Sequence, residues 1–388
     1  MSAPLTSESM SVAYNGLGEI KEGLPAAWYF DPGHYERELT RIWRQTWIYL
    51  ARSSEVSGCR AYMTFDLGGQ QVLLVRDDAG VLRGFHNTCR HRGAALCLES
   101  HGLLKSASVV CPYHSWVYDL QGGLLRTSSK THPEGFAKAD YSLYPVKVQE
   151  WRGFIFVSLA EEPPTLEEAL DFKMGRLERW PLEDLVVAHT DTKTIECNWK
   201  VFWENFSECL HCPGIHPSLC QLVPLFSRGY IRERDDPNWQ AHADDPSPLY
   251  RGGLRAGAES WSTDGSLSAP AFPGLSEEDR KLGQVYLTSL PSVFIAAHVD
   301  YVRAVRLWPL GPEKMQLRVE YLFSPEALAS PEFNLRKVVD FADRVMNEDG
   351  RACEINQRGL RALPHRAGVV MPEEYMVHAF HQWIRARL

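Results

Sequence analysis

Four residues in two short segments have the types and spacing to hold metal. CRHRGAALC places Cys89 and His91 two apart, and CPYHSW places Cys111 and His114 three apart, with nineteen residues between the pairs. Each segment offers one soft thiolate and one imidazole. Unrelated side chains would not fall into two matched pairs. A structural zinc site accepts two Cys and two His, although its usual signature groups Cys with Cys and His with His. A [2Fe–2S] cluster with two thiolates on one iron and two imidazoles on the other suits the split, because each segment then serves both irons.

A second set lies in NWKVFWENFSECLHCPGIHP. His211 and His216 are five apart, which is off the spacing of one helix face. Pro213-Gly214 between them would break the helix and let the second imidazole swing back. Two imidazoles and a carboxylate with open positions form the facial triad of non-haem Fe(II) sites. Taken alone, the two histidines could equally be a surface or core pair.

Together these segments resemble the terminal oxygenase components, or alpha subunits, of the Rieske non-haem iron oxygenases. The family shows C-x-H-R-G and C-P-Y-H-x-W, matched here from Cys89 and from Cys111. The extra cysteines of respiratory Rieske proteins are replaced by Ala94 and Tyr113, and Cys97 reads as a core residue. The family also shows N-W-K, E-N and [DE]-x-x-H-x(4)-H, matched by Asn198, Trp199, Lys200, Glu204, Asn205, Glu208, His211 and His216. The resemblance implies that Cys89, His91, Cys111 and His114 hold a Rieske [2Fe–2S] cluster, and that His211 and His216 bind Fe(II). It places the third iron ligand at Asp349, in N-x-D-x-x-x-C-E-x-x-Q; Glu348 sits next door, the plain alternative is that both are ordinary solvated helix acids, and Asp343 is a weaker rival. It makes Asn205 and Glu208 catalytic, Glu208 bridging His211 to His114 of a neighbouring copy in a head-to-tail homotrimer. Electrons would come from NAD(P)H through a flavin or iron–sulfur reductase, and the co-substrates would be O2 and a small molecule. STDGS at 262–266, ACEINQRG and GVVMPEEYMVHAFHQWIR lean toward the branch acting on glycine betaine, choline and carnitine, by monooxygenation or N-demethylation. An aromatic-ring dioxygenase is the alternative, and a non-catalytic Rieske carrier or a zinc-stabilised module are distant ones. A quaternary ammonium would need an aromatic cage, for which Tyr230, Trp239, Tyr250, Trp261, Tyr286 and Tyr301 are candidates.

Rigid elements must hold these residues. Apolar spacing predicts a helix over 27–48. Between about 60 and 160, short runs such as AYMTFDL, QQVLLVRD and GFIFVSL alternate with Gly, Asp and Asn turns and read as antiparallel strands. EEPPTLEEALDF reads as a linker entering a Thr-capped helix. Beyond it, WKVFWENFSECLHC reads as one helix, 227–283 as long loops, 285–323 as strands and 334–360 as a long helix. The expected fold is α+β. Residues 1–45 form a helical segment packing on the catalytic domain, 46–160 an all-β Rieske domain, and 161–388 a catalytic domain of antiparallel sheet wrapped by helices, of helix-grip type.

Composition sets the outer bounds. The 388 residues carry a net charge of −8, which argues against binding nucleic-acid phosphates. No apolar run is long enough to span a bilayer. The first twenty residues show no basic stretch followed by an apolar one, so a cytoplasmic protein is expected. Nine cysteines, an odd number, do not suggest a disulfide framework, and most are expected to be buried thiols.

Overall fold

The computed structural model describes residues 13–170 and 176–388. The first twelve residues, part of the stretch searched for a leader, lie outside it, as do residues 171–175 at the end of the expected linker helix. The chain divides into two compact units. One takes in Met1–Glu38, Phe172–Thr288 and Val293–Leu388, and the other takes in Leu39–Asp171 with Ser289–Ser292.

In chain order, β1 (Lys21–Pro25) and α1 (Pro32–Glu38) come first, in the larger unit. The single helix expected over 27–48 is in fact three turns of different pitch: a 3-10 turn at Ala26–Tyr29, α1, and a π turn at Leu39–Trp43. Pro32 sits at the start of α1, where its missing N–H costs nothing.

The smaller unit is mostly β, with the π turn at Leu39–Trp43, 3-10 turns at Ser53–Val56 and Lys138–Tyr141, and one α-helix at its end. It contains β2 (Ile48–Arg52), β3 (Ala61–Leu67), β4 (Gln70–Arg76), β5 (Leu82–His86), β6 (His101–Leu103), β7 (Ser108–Val110), β8 (Val117–Asp119), β9 (Leu124–Arg126), β10 (Pro145–Trp151), β11 (Phe154–Ser158) and α2 (Leu166–Leu170). Seven strands form one sheet in the order β2-β11-β10-β5-β4-β3-β6, and β7-β8-β9 form a second. Thr165 and Glu168 exchange side-chain and backbone hydrogen bonds at the start of α2, the expected cap. The core between the sheets includes Leu73, Val75, Phe85, Val109, Trp116 and Tyr118, together with Cys89, Cys97 and Cys111.

The larger unit resumes with β12 (Val186–Ile195), α3 (Trp199–Phe206), α4 (Cys212–Ile215), α5 (Pro217–Leu222), α6 (Pro248–Arg251) and α7 (Glu277–Leu282). It then runs through β13 (Gln284–Ser289), β14 (Val293–His298), β15 (Val302–Gly311), β16 (Lys314–Phe323), α8 (Pro325–Ala329), α9 (Leu335–Gly359), β17 (Ala367–Val370) and α10 (Tyr375–Arg385). The five strands β12-β16-β15-β14-β13 form an antiparallel sheet, and β1 pairs with β17. Helix α9 lies over one face of that sheet. Lys193 of β12 pairs with Asp343 of α9, and a Cβ on Gly350 would already touch Ile195.

Three local expectations are corrected. The segment 199–212 is not one helix: α3 stops at Phe206. The Ser207 hydroxyl donates back to the Trp203 carbonyl at 2.6 Å, and the Glu208 carboxylate accepts the backbone N–H of Leu210 and, at 3.3 Å, of His211. Side chains that take backbone groups in this way compete with the helix. Pro213-Gly214 begins the short α4 instead of breaking a helix, because proline is accommodated in a first turn. The odd cysteine count also hid one disulfide, Cys209–Cys212, whose Cα atoms the turn before α4 brings to 5.0 Å.

Candidate metal centres

In the smaller unit, two loops repeat one backbone design. The N–H of Cys89 donates to the Ala94 carbonyl at 2.8 Å, and the Gly93 N–H donates to the Cys89 carbonyl at 2.9 Å. The N–H of Cys111 likewise donates to the Trp116 carbonyl at 2.8 Å, and the Ser115 N–H donates to the Cys111 carbonyl at 3.0 Å. The fifth residue of each loop is left-handed, with φ 76° at Gly93 and 56° at Ser115. Cys89 and Cys111 are 3% and 1% exposed, whereas His91 is exposed and His114 half-buried. The two imidazole centroids lie 4.7 Å apart; His91 stacks on Trp116 at 4.8 Å, and His114 rests against Tyr113 at 3.7 Å. The Tyr118 hydroxyl lies 3.2 Å from the Cys89 sulfur and accepts the Arg90 N–H. Burial pushes the Cys111 thiol up despite the nearby backbone N–H groups of Tyr113 and His114, so a bound cation is what would hold it as thiolate. Two inward sulfurs and two outward nitrogens on matched loops fit a cluster with one thiolate-bound and one imidazole-bound iron.

In the larger unit, α4 is bracketed by its histidines: His211 is its N-cap and His216 its C-cap. Asp349 comes to them from the middle of α9. Its Oδ1 is 2.9 Å from His216 Nε2 and 3.5 Å from His211 Nε2. One ligand atom from each of the three residues lies within 4.8 Å of the others. The opposite ring nitrogens are held by carboxylates: Glu208 Oε1 is 2.5 Å from His211 Nδ1, and Glu348 Oε2 is 2.8 Å from His216 Nδ1. Both Nε2 atoms are therefore turned toward Asp349, the arrangement that metal-binding histidines adopt. Burial alone would lower the His211 pKa, but Asp349 and Glu208 outweigh it and hold it at about 9. His216 is raised for the same reason by Asp349 and Glu348. Three carboxylates around two imidazoles make a site for a cation.

The other expected residues separate by position. Asn205 Nδ2 lies 3.4 Å from His211 Nε2, a long contact, and Asp343 is taken by Lys193. Glu348, read from sequence as an ordinary helix acid, is the partner of His216; its place beside Asp349 was the available signal. The matched Asn198, Trp199, Lys200 and Glu204 form scaffold. Asn198 accepts the Lys200 N–H at 2.9 Å and caps α3. Lys200 Nζ is paired with Glu38, which also accepts from Trp199 Nε1 at 2.8 Å. Glu204 accepts from the Tyr29 hydroxyl at 2.5 Å and sits 2.9 Å from His381 Nε2. Of the six aromatic candidates, Tyr230 and Tyr250 are covered by Arg228 and Trp239 by Arg234. Trp261 and Tyr301 are core, joined by a hydrogen bond from the Tyr301 hydroxyl to the Trp261 carbonyl. Tyr286 packs edge-on to Phe206, whose ring stacks on Phe294 at 4.3 Å.

Residues 46–142 match the Rieske [2Fe-2S] domain, and residues 176–388 match the catalytic domain of ring-hydroxylating alpha subunits. The chain belongs to the Rieske oxygenase alpha-subunit family. As such it is an oxidoreductase, the oxygenase component that works with a reductase and a small-molecule substrate, and its two donor sets fit the family's [2Fe–2S] cluster and mononuclear iron. The catalytic-domain match sets aside the carrier and zinc-module readings. This alpha subunit is 30% identical to the glycine betaine monooxygenase oxygenase subunit of Chromohalobacter salexigens, over 89% of this chain and 81% of the relative. It is also 30% identical to the chloroplastic choline monooxygenase of Beta vulgaris, over 94% of this chain and 76% of that protein. The fold matches a quaternary ammonium Rieske monooxygenase studied for carnitine oxidation by gut microbiota, with a TM-score of 0.74, 22% identity and coverage of 97% and 100% of the two chains. It also matches naphthalene 1,2-dioxygenase of Rhodococcus, at TM-score 0.67, 21% identity and 94% of each chain. No helix among the described residues is long and apolar enough to cross a membrane.

Proposed function

We propose that this alpha subunit monooxygenates an N-methyl group of a quaternary or methylated amine, with Cys89, His91, Cys111 and His114 holding the cluster and His211, His216 and Asp349 holding the iron. The observation that carries the site assignment is the orientation of both Nε2 atoms toward Asp349, with Glu208 and Glu348 behind the rings. The similarity to glycine betaine and choline monooxygenases supports the substrate class. When bound, the iron supplies O2 activation and the cluster supplies single electrons. The protein's part is to present one N-methyl carbon and keep bulk water away. Phe206, Tyr286 and Phe294 pack into an aromatic cluster, with Phe206 five residues before His211, and a ring face opened there would attract a trimethylammonium group without hydrogen-bonding it. One oxygen atom enters the methyl C–H bond and the other leaves as water, using two electrons and two protons. The resulting N-hydroxymethyl group then breaks its C–N bond, the electron pair staying on nitrogen and the hydroxyl proton leaving to water, to give formaldehyde and the amine with one methyl fewer.

Glu208 would link the two centres across copies. One of its oxygens holds His211, and the side chain lines a cavity of about 320 Å³ with Glu204, Asn205, His365, Glu374 and His381. The His114 ring has no hydrogen-bond partner among the described residues, which leaves a ring nitrogen to reach a neighbouring copy's Glu208. The test combines the holoenzyme with a surrogate reductase and NADH, and follows O2 uptake and formaldehyde with glycine betaine, carnitine, choline and naphthalene. Formaldehyde in proportion to O2 with an amine supports the proposal. A cis-dihydrodiol from naphthalene, with no amine consumed, overturns it.

A further inference from the structure

The described residues include three buried cations, Arg52, Lys200 and Arg303. Arg52 donates to the Arg152 carbonyl, and Lys200 has Glu38. Arg303, 9% exposed, has neither a hydrogen bond nor a carboxylate partner among the described residues, and its Nε is fully enclosed. A guanidinium cannot shed its proton to escape burial, and a buried charge of this kind requires a counter-charge.

Its position gives the missing partner an identity. Arg303 stands opposite Ala296 on β14 and Tyr321 on β16, so it shares a sheet face with Phe294 and His298. This is the face under α9, because Lys193 and Ile195, in register on the same side, meet Asp343 and Gly350. The guanidinium carbon lies 6.0 Å from the Phe294 ring centroid, and Phe294 stacks on Phe206, five residues before His211. Tyr286 feels both the Arg303 charge and the Asp349 carboxylate. Among the described residues no carboxylate pairs with Arg303: Asp300 acts on its neighbour Tyr301, and Asp191, Asp340 and Asp343 act on Tyr321, but none forms an ion pair with the guanidinium. Burial pushes Tyr286 and Tyr301 up, Tyr321 to about 12, and His298 well down, so all four are uncharged near neutrality. Asp349 is already held by two imidazoles.

We infer that Arg303 is the receptor for a carboxylate on the substrate, so that the substrate is a zwitterion with a trimethylammonium at one end and a carboxylate at the other. This rests on reading the site as one for quaternary amines. A guanidinium takes a carboxylate through two parallel hydrogen bonds. The trimethylammonium end lies toward Tyr286 and Phe206, and the carboxylate end toward Arg303. A simple cation such as choline meets an uncompensated positive charge and leaves it unpaired. Relatives of both kinds are equally similar to this chain, so the discrimination comes from Arg303 alone.

The experiment uses the holoenzyme with bound metals, by anaerobic calorimetry and by reductase-coupled turnover. The ligands are matched pairs: glycine betaine against its methyl ester, carnitine against choline, and benzoate against toluene. Wild type should bind the quaternary carboxylates tighter than their partners by on the order of tenfold to a hundredfold. Arg303→Gln should lose that preference and Arg303→Lys should keep part of it, while iron content and the cluster's visible spectrum stay unchanged. If Arg303→Gln fails to fold, the wild-type comparison decides by itself. Equal use of choline and glycine betaine, or binding of no carboxylate, overturns the assignment; in the first case the quaternary-amine reading stands. Preference for benzoate over toluene, lost in Arg303→Gln, with no amine bound, keeps the Arg303 assignment and overturns the quaternary-amine reading.

Discussion

Glu208 and Glu348 hold equivalent nitrogens on two histidines, yet their surroundings differ. Glu348 contacts His216, which is 1% exposed, while Glu208 lines a cavity and also accepts backbone N–H groups. Glu348→Gln should therefore act on the metal itself: losing a carboxylate behind a ligand imidazole typically costs 10–100-fold in metal affinity, so about that drop is expected. Glu208→Gln should keep both metals and instead slow reoxidation of the reduced cluster. Iron analysis and stopped-flow reoxidation, with substrate and O2 present, separate the two. Wild-type iron affinity in Glu348→Gln would mean that it merely fills space. Asp349→Ala should lose about one iron per chain and keep the brown cluster colour. Asp343→Ala should keep the iron, since that carboxylate is committed to Lys193. The reverse pattern would move the ligand assignment to Asp343.

Helix α3 shows what a sequence motif can conceal. Its Asn-Trp-Lys start looks catalytic by association, but Lys200 and Glu38 form a fully buried ion pair that ties α3 to α1. Removing one partner strands the other's charge, so Lys200→Met should cost roughly 3–5 kcal/mol of stability. Chemical denaturation of the iron-loaded protein would measure it, and a loss below 1 kcal/mol would show that Glu38 finds water or another donor. The Cys/His loops and the paired histidines could be read directly, because ligand chemistry restricts residue types and those residues lie close together in the chain. Many strands of both units were also readable, from alternation as in β12 or from short continuous apolar runs as in β11 and β14, whereas β1, β2 and β17 were not. The end of α3 was not, because Ser207 and Glu208 end it through their own hydrogen bonds while the apolar spacing continues. The positions of Glu348 and Arg303 were hard to read for a different reason: a charged side chain that faces solvent and one turned inward look alike in sequence, and only the place of Glu348 beside Asp349 hinted at its contact with His216. Only the pairing of β14 with β15 and the position of α9 distinguish them.

A proposed electron path from one copy's His114 to another copy's Glu208 needs a closed ring of chains. Light scattering should report about three chains per particle, and a fully active monomer would remove the inter-copy role of Glu208. Within one chain, the larger unit is assembled from three separated stretches around the inserted Leu39–Asp171. That layout has a consequence for the order in which a chain leaving the ribosome can fold. Glu38 is 162 residues ahead of Lys200, and His216 is 133 ahead of Asp349. At about 5–20 residues per second, Glu38 waits on the order of ten seconds for its counter-ion, and the histidines wait nearly as long for their carboxylate. The inserted stretch is complete, apart from Ser289–Ser292, 29 residues before Lys200 and long before Asp349. A nascent chain stalled after residue 330 should therefore contain a protease-resistant fragment from 39–170, while 176–288 remains open to cleavage. Equal resistance of both stretches would mean that the larger unit closes without α9. With the expected order, the cluster loops would be ready for loading while the mononuclear site does not yet exist, and the cluster and the single iron would be acquired at different moments in the life of the chain.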